Sequence, residues 1–154
     1  MFKKAMVLTE VENIGKLVCT HLTPPEDYPF LESQTADLVS SWAEQNAYEA
    51  QVIADISRFT PRMIILGDFN AGPALPFFNV AAVFPDSFNK YISAGFESPY
   101  VNMVGQPTFL TENSIFDHVF HKGCKAIYAQ RLYLNDGNGL SLSDHYGVEV
   151  WLTS

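Results

Sequence analysis

The chain has 154 residues, of which 47% are hydrophobic and 17% are charged. This length and composition support a single folded domain over residues 1–154 and argue against intrinsic disorder. The formal net charge is −8 at pH 7, and the nine Lys and Arg residues form no basic stripe. Strong non-specific DNA binding therefore gains no support, although a metal site can offset acidic residues around a phosphate.

Six short segments have the alternation or the buried apolar run that is typical of strands. They are residues 3–11, 16–22, 63–66, 115–121, 126–134 and 145–152. The turn signal Asn13-Ile14-Gly15 predicts that the first two segments form a hairpin. Residues 63–66 are bounded by Pro61 and Gly67 and predict a strand buried on both faces.

Two segments predict helices. Residues 31–59 carry apolar positions at helical spacing, and the last stripe consists of Val52, Ile53, Ile56 and Phe59. Gln45-Asn46 lies inside this segment and favours a break into two helices. Residues 86–94 predict a shorter helix. Hairpins together with helix-linked strands predict an α/β (α+β) fold, with layered mixed sheets flanked by helices.

Asp68 and Asn70 follow the predicted buried strand and stand two residues apart. In an extended chain this spacing points both side chains to one face and turns Phe69 into the core. A carboxylate beside an amide suits a hard-cation site, or a water-activating base beside a hydrogen-bond donor. An ordinary Asp/Asn turn at a strand end is the alternative.

Asp144 and His145 open the last predicted strand. Adjacent Asp and His side chains reach one site only where the backbone is still irregular, before strict alternation begins. Nearby carboxylates can keep such a histidine cationic, ready to stabilise or protonate an oxyanion. The alternative is structural, with Asp144 capping a turn and His145 packed on Tyr146.

Asp117 and His21 complete the set of candidate residues. Asp117 lies among apolar residues of a predicted strand, where a carboxylate is costly to bury unless it is paired. A histidine partner would have its tautomer and orientation fixed by that carboxylate. His21 stands at a strand end, where a structural role is the alternative, and His118 and His121 are interpreted as surface or core histidines.

Four motifs in this order resemble the endonuclease/exonuclease/phosphatase superfamily. They are Thr20-His21-Leu22, Gly67-Asp68-Phe69-Asn70, Asp117-His118 and Ser143-Asp144-His145. The resemblance spans nearly the whole chain and implies the layered sandwich of that superfamily. It also implies metal-assisted hydrolysis of a phosphoester, in which positioning and charge neutralisation do most of the catalysis.

The resemblance further implies a role for each residue. Asp68 would orient or deprotonate the attacking water, and Asn70 would hold the phosphoryl oxygens. His145 would stabilise the charge that develops on phosphorus, Asp117 would brace His145, and His21 would contact the phosphate. A divalent ion, Mg²⁺ or another such as Mn²⁺ or Ca²⁺, would be bound by Asp144, Asp68 and Asn70.

The sequence departs from the family pattern at its start. Family members have a further N-terminal half with a metal-binding Glu, and neither Glu10 nor Glu12 stands in the matching context. We therefore expect an incomplete fold, weak magnesium binding, and weak or no activity of this chain. An uncovered sheet face would favour self-association or a chain that supplies the missing half.

Three functions follow, and the sequence favours the first slightly. The first is a phosphodiesterase acting on phospholipid head groups, similar to neutral sphingomyelinases, with the apolar loop at residues 73–85 touching a membrane surface. The second is an endonuclease or exonuclease acting on DNA or RNA, which shares the same motifs. The third is a catalytically inactive remnant that serves as a binding module, supported by the missing Glu.

Overall fold

The computed structural model describes residues 6–25, 41–133 and 135–153. The strands are β1 (Met6–Val11), β2 (Gly15–His21), β3 (Met63–Asp68), β4 (Asp117–Lys122), β5 (Lys125–Leu132) and β6 (Gly147–Thr153). The helices are α1 (Trp42–Ser57), α2 (Pro85–Ser93) and α3 (Pro99–Met103), with a 3₁₀ turn at Pro76–Phe78. None of these helices is both long and apolar enough to cross a bilayer.

The strands form two sheets. The larger sheet has the order β1-β2-β3-β4, with β1 antiparallel to β2, β2 parallel to β3, and β3 antiparallel to β4. The smaller sheet pairs β5 with β6 in antiparallel fashion. The hairpin predicted at the start and the mixed α+β class are therefore confirmed.

Helix α1 corrects two predictions for residues 41–59. It begins after Ser41, whose hydroxyl accepts a hydrogen bond from the Glu44 backbone N–H, and it runs through Gln45-Asn46 without a break. Asn46 does not interrupt the helix because its side chain bonds to partners outside it. The predicted stripe is also wrong in part, since Phe59 is 94% exposed. Residues 31–40 lie outside the described residues.

The buried face of α1 packs on one face of the larger sheet. This face of α1 comprises Asn46, Ala50, Ile53, Ala54 and Ser57. The sheet contributes Val18, Met63, Ile65 and Phe120, and α2 adds Phe88 and Tyr91 to the same cluster. Helices α1 and α2 therefore cover one side of the larger sheet, and this contact holds the main apolar core.

The opposite face of the larger sheet is covered less completely. Ile64 and Leu66 of β3 are half-buried, whereas Met63 and Ile65 on the helix side are fully buried. The prediction of a strand buried on both faces is thus correct for one face only. Strand β6 and helix α3 contact the larger sheet through β4.

The loop at residues 73–85 divides its apolar residues between the core and solvent. Val80 is buried against Tyr100 and Ile115, and Phe84 packs against the main core. Phe77 is 92% exposed and contacts Phe78 edge-on. The loop is therefore packed at Val80 and Phe84, while Phe77, Phe78, Ala81 and Ala82 leave apolar surface exposed to solvent.

His118 is a core residue, as the sequence interpretation allowed. It is almost completely buried, its Nε2 lies 2.9 Å from the Ala71 carbonyl, and its Nδ1 lies 3.3 Å from the Ser98 hydroxyl. The ring also stacks on Phe120 at 5.0 Å. Burial lowers the pKa of His118 to about 4, and backbone hydrogen bonds oppose this only partly.

We predict that His118 makes the protein less stable at mildly acidic pH. Its pKa is lower in the folded state than in the unfolded chain, so its contribution is complete above pH 6.5 and is lost as pH falls towards 4. Between pH 7 and pH 5 the free energy of unfolding should fall by about 2 kcal/mol from this residue alone. Urea unfolding of the wild type and of His118→Gln at both pH values measures this, and equal pH dependence of the two proteins would contradict it.

Candidate active site

Three candidate side chains lie in one row across neighbouring strands. His21 at the end of β2 pairs with Asp68 at the end of β3, and Asp68 pairs with Asp117 at the start of β4. Residues that are paired in this way point to the same face of a sheet. His21 Nε2 lies 3.4 Å from Asp68 Oδ2. The sheet register therefore brings together residues that are 47 and 49 positions apart in the chain.

His145 reaches the same place from the segment before β6. Its Nδ1 lies 2.7 Å from Asp117 Oδ2, and its Nε2 lies 4.0 Å from Asp68 Oδ2. The imidazole also packs edge-on against Phe109, with ring centroids 4.8 Å apart. His145 thus lies between two carboxylates, and the structure supports the expected pairing of Asp117 with a histidine.

The segment at residues 107–116 holds His145 in place through backbone hydrogen bonds. Leu110 N–H donates to the Asp144 carbonyl, and Tyr146 N–H donates to the Thr108 carbonyl. The Thr108 hydroxyl also accepts hydrogen bonds from the backbone N–H groups of Phe116 and Asp117, at 2.9 and 3.1 Å. Thr108 therefore links the strand that carries Asp117 to the segment that carries His145.

The charges around His145 favour its protonated form. Burial by itself lowers the pKa of His145, but the hydrogen bond and charge of Asp117, followed by the charges of Asp68 and Asp144, raise it above its ordinary value. Burial raises the pKa of Asp117, and the hydrogen bond from His145 opposes that effect. A proton on His145 is therefore well placed to interact with negative charge that enters the cleft.

The end of β3 and the turn that follows it contain two residues with positive φ angles. Gly67 has φ +143°, and a Cβ there would lie 1.9 Å from the Thr20 carbonyl oxygen, so a side chain would push β2 and β3 apart. Asn70 has φ 50°, a left-handed conformation that Asn tolerates well. Its backbone N–H donates to Asp68 Oδ1 at 2.9 Å, and its side-chain Nδ2 donates to the Leu22 carbonyl at 3.1 Å.

A cleft of about 580 Å³ joins all of the predicted site residues. Its lining comprises His21, Pro24, Pro25, Asp68, Asn70, Phe109, Glu112, Phe116, Asp117, Asp144 and His145. Glu112, Phe109 and Thr108 were not predicted from the sequence. Nothing in the local pattern marks them, because their proximity to the site arises from the long loop that precedes β4.

Oxygen atoms in this cleft suit a divalent cation. Among the described residues, the group whose ligand atoms lie within 4.8 Å of one another is Asp68, Asp117 and His145. Asn70 and the exposed Asp144 also line the cleft, and Asp144 lies outside that group. Carboxylate and amide oxygens are the ligands that Mg²⁺ and similar hard ions prefer, so the donor set fits such an ion.

A family model matches most of the sequence. Residues 5–145 match the Endonuclease/Exonuclease/phosphatase family, and the chain therefore belongs to it. This confirms the resemblance drawn from the four motifs. Comparison of the sequence with curated proteins finds no significant match.

Several solved structures share the fold at low sequence identity. A 3′ phosphatase, NExo from Neisseria bound to a product DNA hairpin, aligns with a TM-score of 0.66 at 12% identity, over 97% of this chain and 65% of its own. TDP2 from D. rerio complexed with a single-strand DNA product aligns with a TM-score of 0.63 at 13% identity, over 98% of this chain and 62% of its own.

An endonuclease/exonuclease/phosphatase from Beutenbergia cavernae DSM 12333 aligns with a TM-score of 0.62 at 16% identity, over 97% of this chain and 39% of its own. The chain thus spans between 39% and 65% of the length of these three proteins.

We predict that Thr108→Val loosens the connection between Asp117 and His145. Valine has nearly the same shape but leaves the buried N–H of Phe116 and the N–H of Asp117 without their acceptor. The free energy of unfolding should fall by about 1–3 kcal/mol. Chemical denaturation measures this, with Thr9→Val on the exposed part of β1 as a control that should change stability by no more than about 0.5 kcal/mol. Similar losses in the two variants would contradict the prediction.

Proposed function

We propose that this chain carries the phosphate-cleaving centre of a divalent-cation-dependent phosphoesterase that acts on nucleic acid. The observation that carries the proposal is the convergence of His21, Asp68, Asp117 and His145, from four separate segments, at one edge of the sheet. Such a set of two acids and two imidazoles, open to a cleft, suits acid–base chemistry on an anionic ester. Membership of the family supports the same reaction class.

Nucleic acid is the proposed substrate rather than a phospholipid head group. Two of the similar structures contain DNA products, which supports this choice, whereas no observation supports the sphingomyelin-like preference suggested by the sequence. The membrane contact expected of residues 73–85 also lacks support, since Val80 and Phe84 pack inside the protein. The large apolar side chains of this loop that are exposed are Phe77 and Phe78.

Each residue receives a role that its surroundings allow. Asp68 accepts a proton from the attacking water, because one of its oxygens is held by the Asn70 N–H while the other faces His21 and His145. His145 donates from Nε2 to the phosphoryl oxygens as their negative charge grows, while Asp117 holds Nδ1 and so fixes the ring.

Two further residues contact the phosphate in this proposal. Asn70 uses one proton of its amide for the Leu22 carbonyl, and the second proton is available for a phosphoryl oxygen. His21 is 61% exposed and lies at the rim of the cleft, where it meets an incoming phosphate.

A divalent cation would be held by Asp68, Asn70 and Asp144. When bound, it supplies charge neutralisation and polarises the phosphoryl oxygens. Two carboxylates and one amide form a small donor set, so we expect weak affinity, and magnesium is the proposed ion because its ligands are hard oxygens.

A second candidate is a binding module without turnover. The observation in its favour is that Asp117, in the group of possible metal ligands found among the described residues, is hydrogen-bonded to His145, which leaves few oxygens for a catalytic cation. Such a module would still bind a cation and nucleic acid in the cleft.

We predict that Asp68→Asn abolishes cation-dependent hydrolysis. Removing a general base of this kind lowers the rate by about 10²–10⁴-fold. The assay follows release of phosphate or of a fluorescent product with Mg²⁺ or Mn²⁺ present. Asp55→Asn is the control, because Asp55 lies on the exposed side of α1, paired with Arg58, and should leave the rate unchanged. Equal rates for Asp68→Asn and the wild type would place the chemistry elsewhere.

We also predict a preference between substrates. A 3′-phosphorylated oligonucleotide and a single-stranded oligonucleotide should be hydrolysed faster than sphingomyelin in mixed micelles at equal concentration. Release of phosphate, of shortened oligonucleotides and of phosphocholine measures the three reactions, with chelator added as the control for the cation. Faster cleavage of sphingomyelin would reverse the proposed substrate class. Absence of turnover on all three, with retained cation binding, would favour the binding module.

A further inference from the structure

Asn46 is a completely buried polar residue on the helix that covers the sheet. Its side-chain Nδ2 donates two hydrogen bonds, to the Thr23 carbonyl at 2.6 Å and to the Phe69 carbonyl at 2.9 Å. Both acceptors lie 23 residues away in sequence, one on each side. They belong to the segments that leave β2 and β3 immediately after His21 and Asp68, so one amide of α1 joins the two strand ends that carry candidate catalytic residues.

The bond to Phe69 has a direct consequence for Asp68. The Phe69 carbonyl and the Asn70 N–H belong to the same planar, trans peptide, so they point in opposite directions. The carbonyl end is held by Asn46, while the N–H end donates to Asp68 Oδ1 at 2.9 Å. The Phe69 N–H is also held, by the Phe116 carbonyl at 2.8 Å. The orientation of the Phe69–Asn70 peptide therefore sets the direction of the Asn70 N–H, which in turn holds the Asp68 carboxylate.

Glu49 holds the other strand end from the next turn of the same helix. Its carboxylate accepts hydrogen bonds from both the backbone N–H and the hydroxyl of Thr23, each at 2.8 Å, and from Gln45 Nε2 at 2.9 Å. Thr23 is thus held at its N–H by Glu49 and at its carbonyl by Asn46. The two helix residues leave the segment after His21 little freedom to shift relative to the segment after Asp68.

We propose that Asn46 is a positioning residue for the candidate active site, acting through the Phe69–Asn70 peptide to direct the Asp68 carboxylate into the cleft. This inference rests on the proposed function for the catalytic role of Asp68, whereas the hydrogen bonds from Asn46 to Phe69 and from Asn70 to Asp68 are observed in the structure. Asn46 lies on the helix side of the sheet and Asp68 on the cleft side, so Asn46 acts without being part of the cleft lining. Its Oδ1 has no hydrogen-bond partner among the described residues, which indicates that the amide N–H groups are what this position requires.

A purely structural role for Asn46 makes a different prediction. If Asn46 only stabilised the packing of α1, its loss would lower stability in the same way as the loss of any buried polar group of that helix. Ser57 provides this comparison, because its buried hydroxyl donates to the Ala54 carbonyl, within α1 itself and outside the lining of the cleft. A positioning role instead predicts a local change at the Asn70 amide.

The experiment measures hydrogen exchange of the Asn70 backbone amide by NMR in the wild type, Asn46→Leu and Ser57→Ala. Leucine keeps the branching and number of heavy atoms, although it is bulkier, and removes both donors. We expect exchange at Asn70 to become faster by about tenfold in Asn46→Leu, the fold-change that corresponds to one lost hydrogen bond, with Ile65 in the middle of β3 unchanged. Ser57→Ala should leave Asn70 unchanged. Equal protection of Asn70 in all three proteins would overturn the proposal.

A measurement on the wild type covers the case in which Asn46→Leu does not fold. The side-chain amide protons of Asn46 should exchange far more slowly than those of Asn102, which is exposed. Equally fast exchange of the two would overturn the proposal. Because these readouts do not depend on turnover, a wild type that hydrolyses nothing would count against the proposed function alone. Calorimetry compares Mg²⁺ binding by the two variants. Weaker binding by Asn46→Leu than by Ser57→Ala would support the inference that Asn46 positions the Asp68 carboxylate.

Discussion

The parallel pairing of β2 with β3 is the constraint on which the candidate site depends. Parallel strands end at the same edge of a sheet, so His21 and Asp68 are brought together there, and antiparallel β4 begins at that edge with Asp117. The register is set by the opposite face. Val18, Met63, Ile65 and Phe120 are buried under α1 and α2, and the alternation of side chains then puts the three site residues on the other face. A shift of one residue in β3 would expose Met63 and Ile65 and bury Asp68. The strand register that buries the core is therefore also the register that assembles the site.

Much of this arrangement could be predicted from local patterns. The spacing of Asp68 and Asn70 correctly predicted that Phe69 turns inward, since Phe69 is 1% exposed. The bounds of most strands and the short helix α2 also follow from alternation, turn residues and helical spacing. These features depend on near neighbours in sequence. A buried strand that ends in Gly67 and Asp68 is enough, as a local pattern, to indicate a turn with positive-φ residues.

Features that depend on distant partners could not be predicted in this way. Gln45-Asn46 predicted a helix break because it lies between two apolar stripes, yet the partners of Asn46, Thr23 and Phe69, each lie 23 residues away. Thr108 likewise bonds to distant segments, since its hydroxyl and carbonyl join β4 to the segment before β6. A buried side chain that satisfies the backbone of another segment leaves no periodic signal, and only the folded structure reveals its acceptors.

The charges in the cleft explain why an acidic protein can still be proposed to act on a polyanion. Asp68, Glu112, Asp117 and Asp144 line the cleft, and His145 lies between two of them. A phosphate that enters this space is repelled by the carboxylates, and among the lining residues described, His21, His145 and the Asn70 amide are the groups that can donate hydrogen bonds to it. The whole chain has a net charge of −8, so acidic residues outnumber basic ones in the protein as a whole. The same carboxylates are hard oxygen donors, so a divalent cation bound among them would offset much of the local negative charge and lower the electrostatic cost of bringing in a phosphoester. The acidic composition that weakens the case for non-specific nucleic-acid binding therefore strengthens the case for a cation requirement.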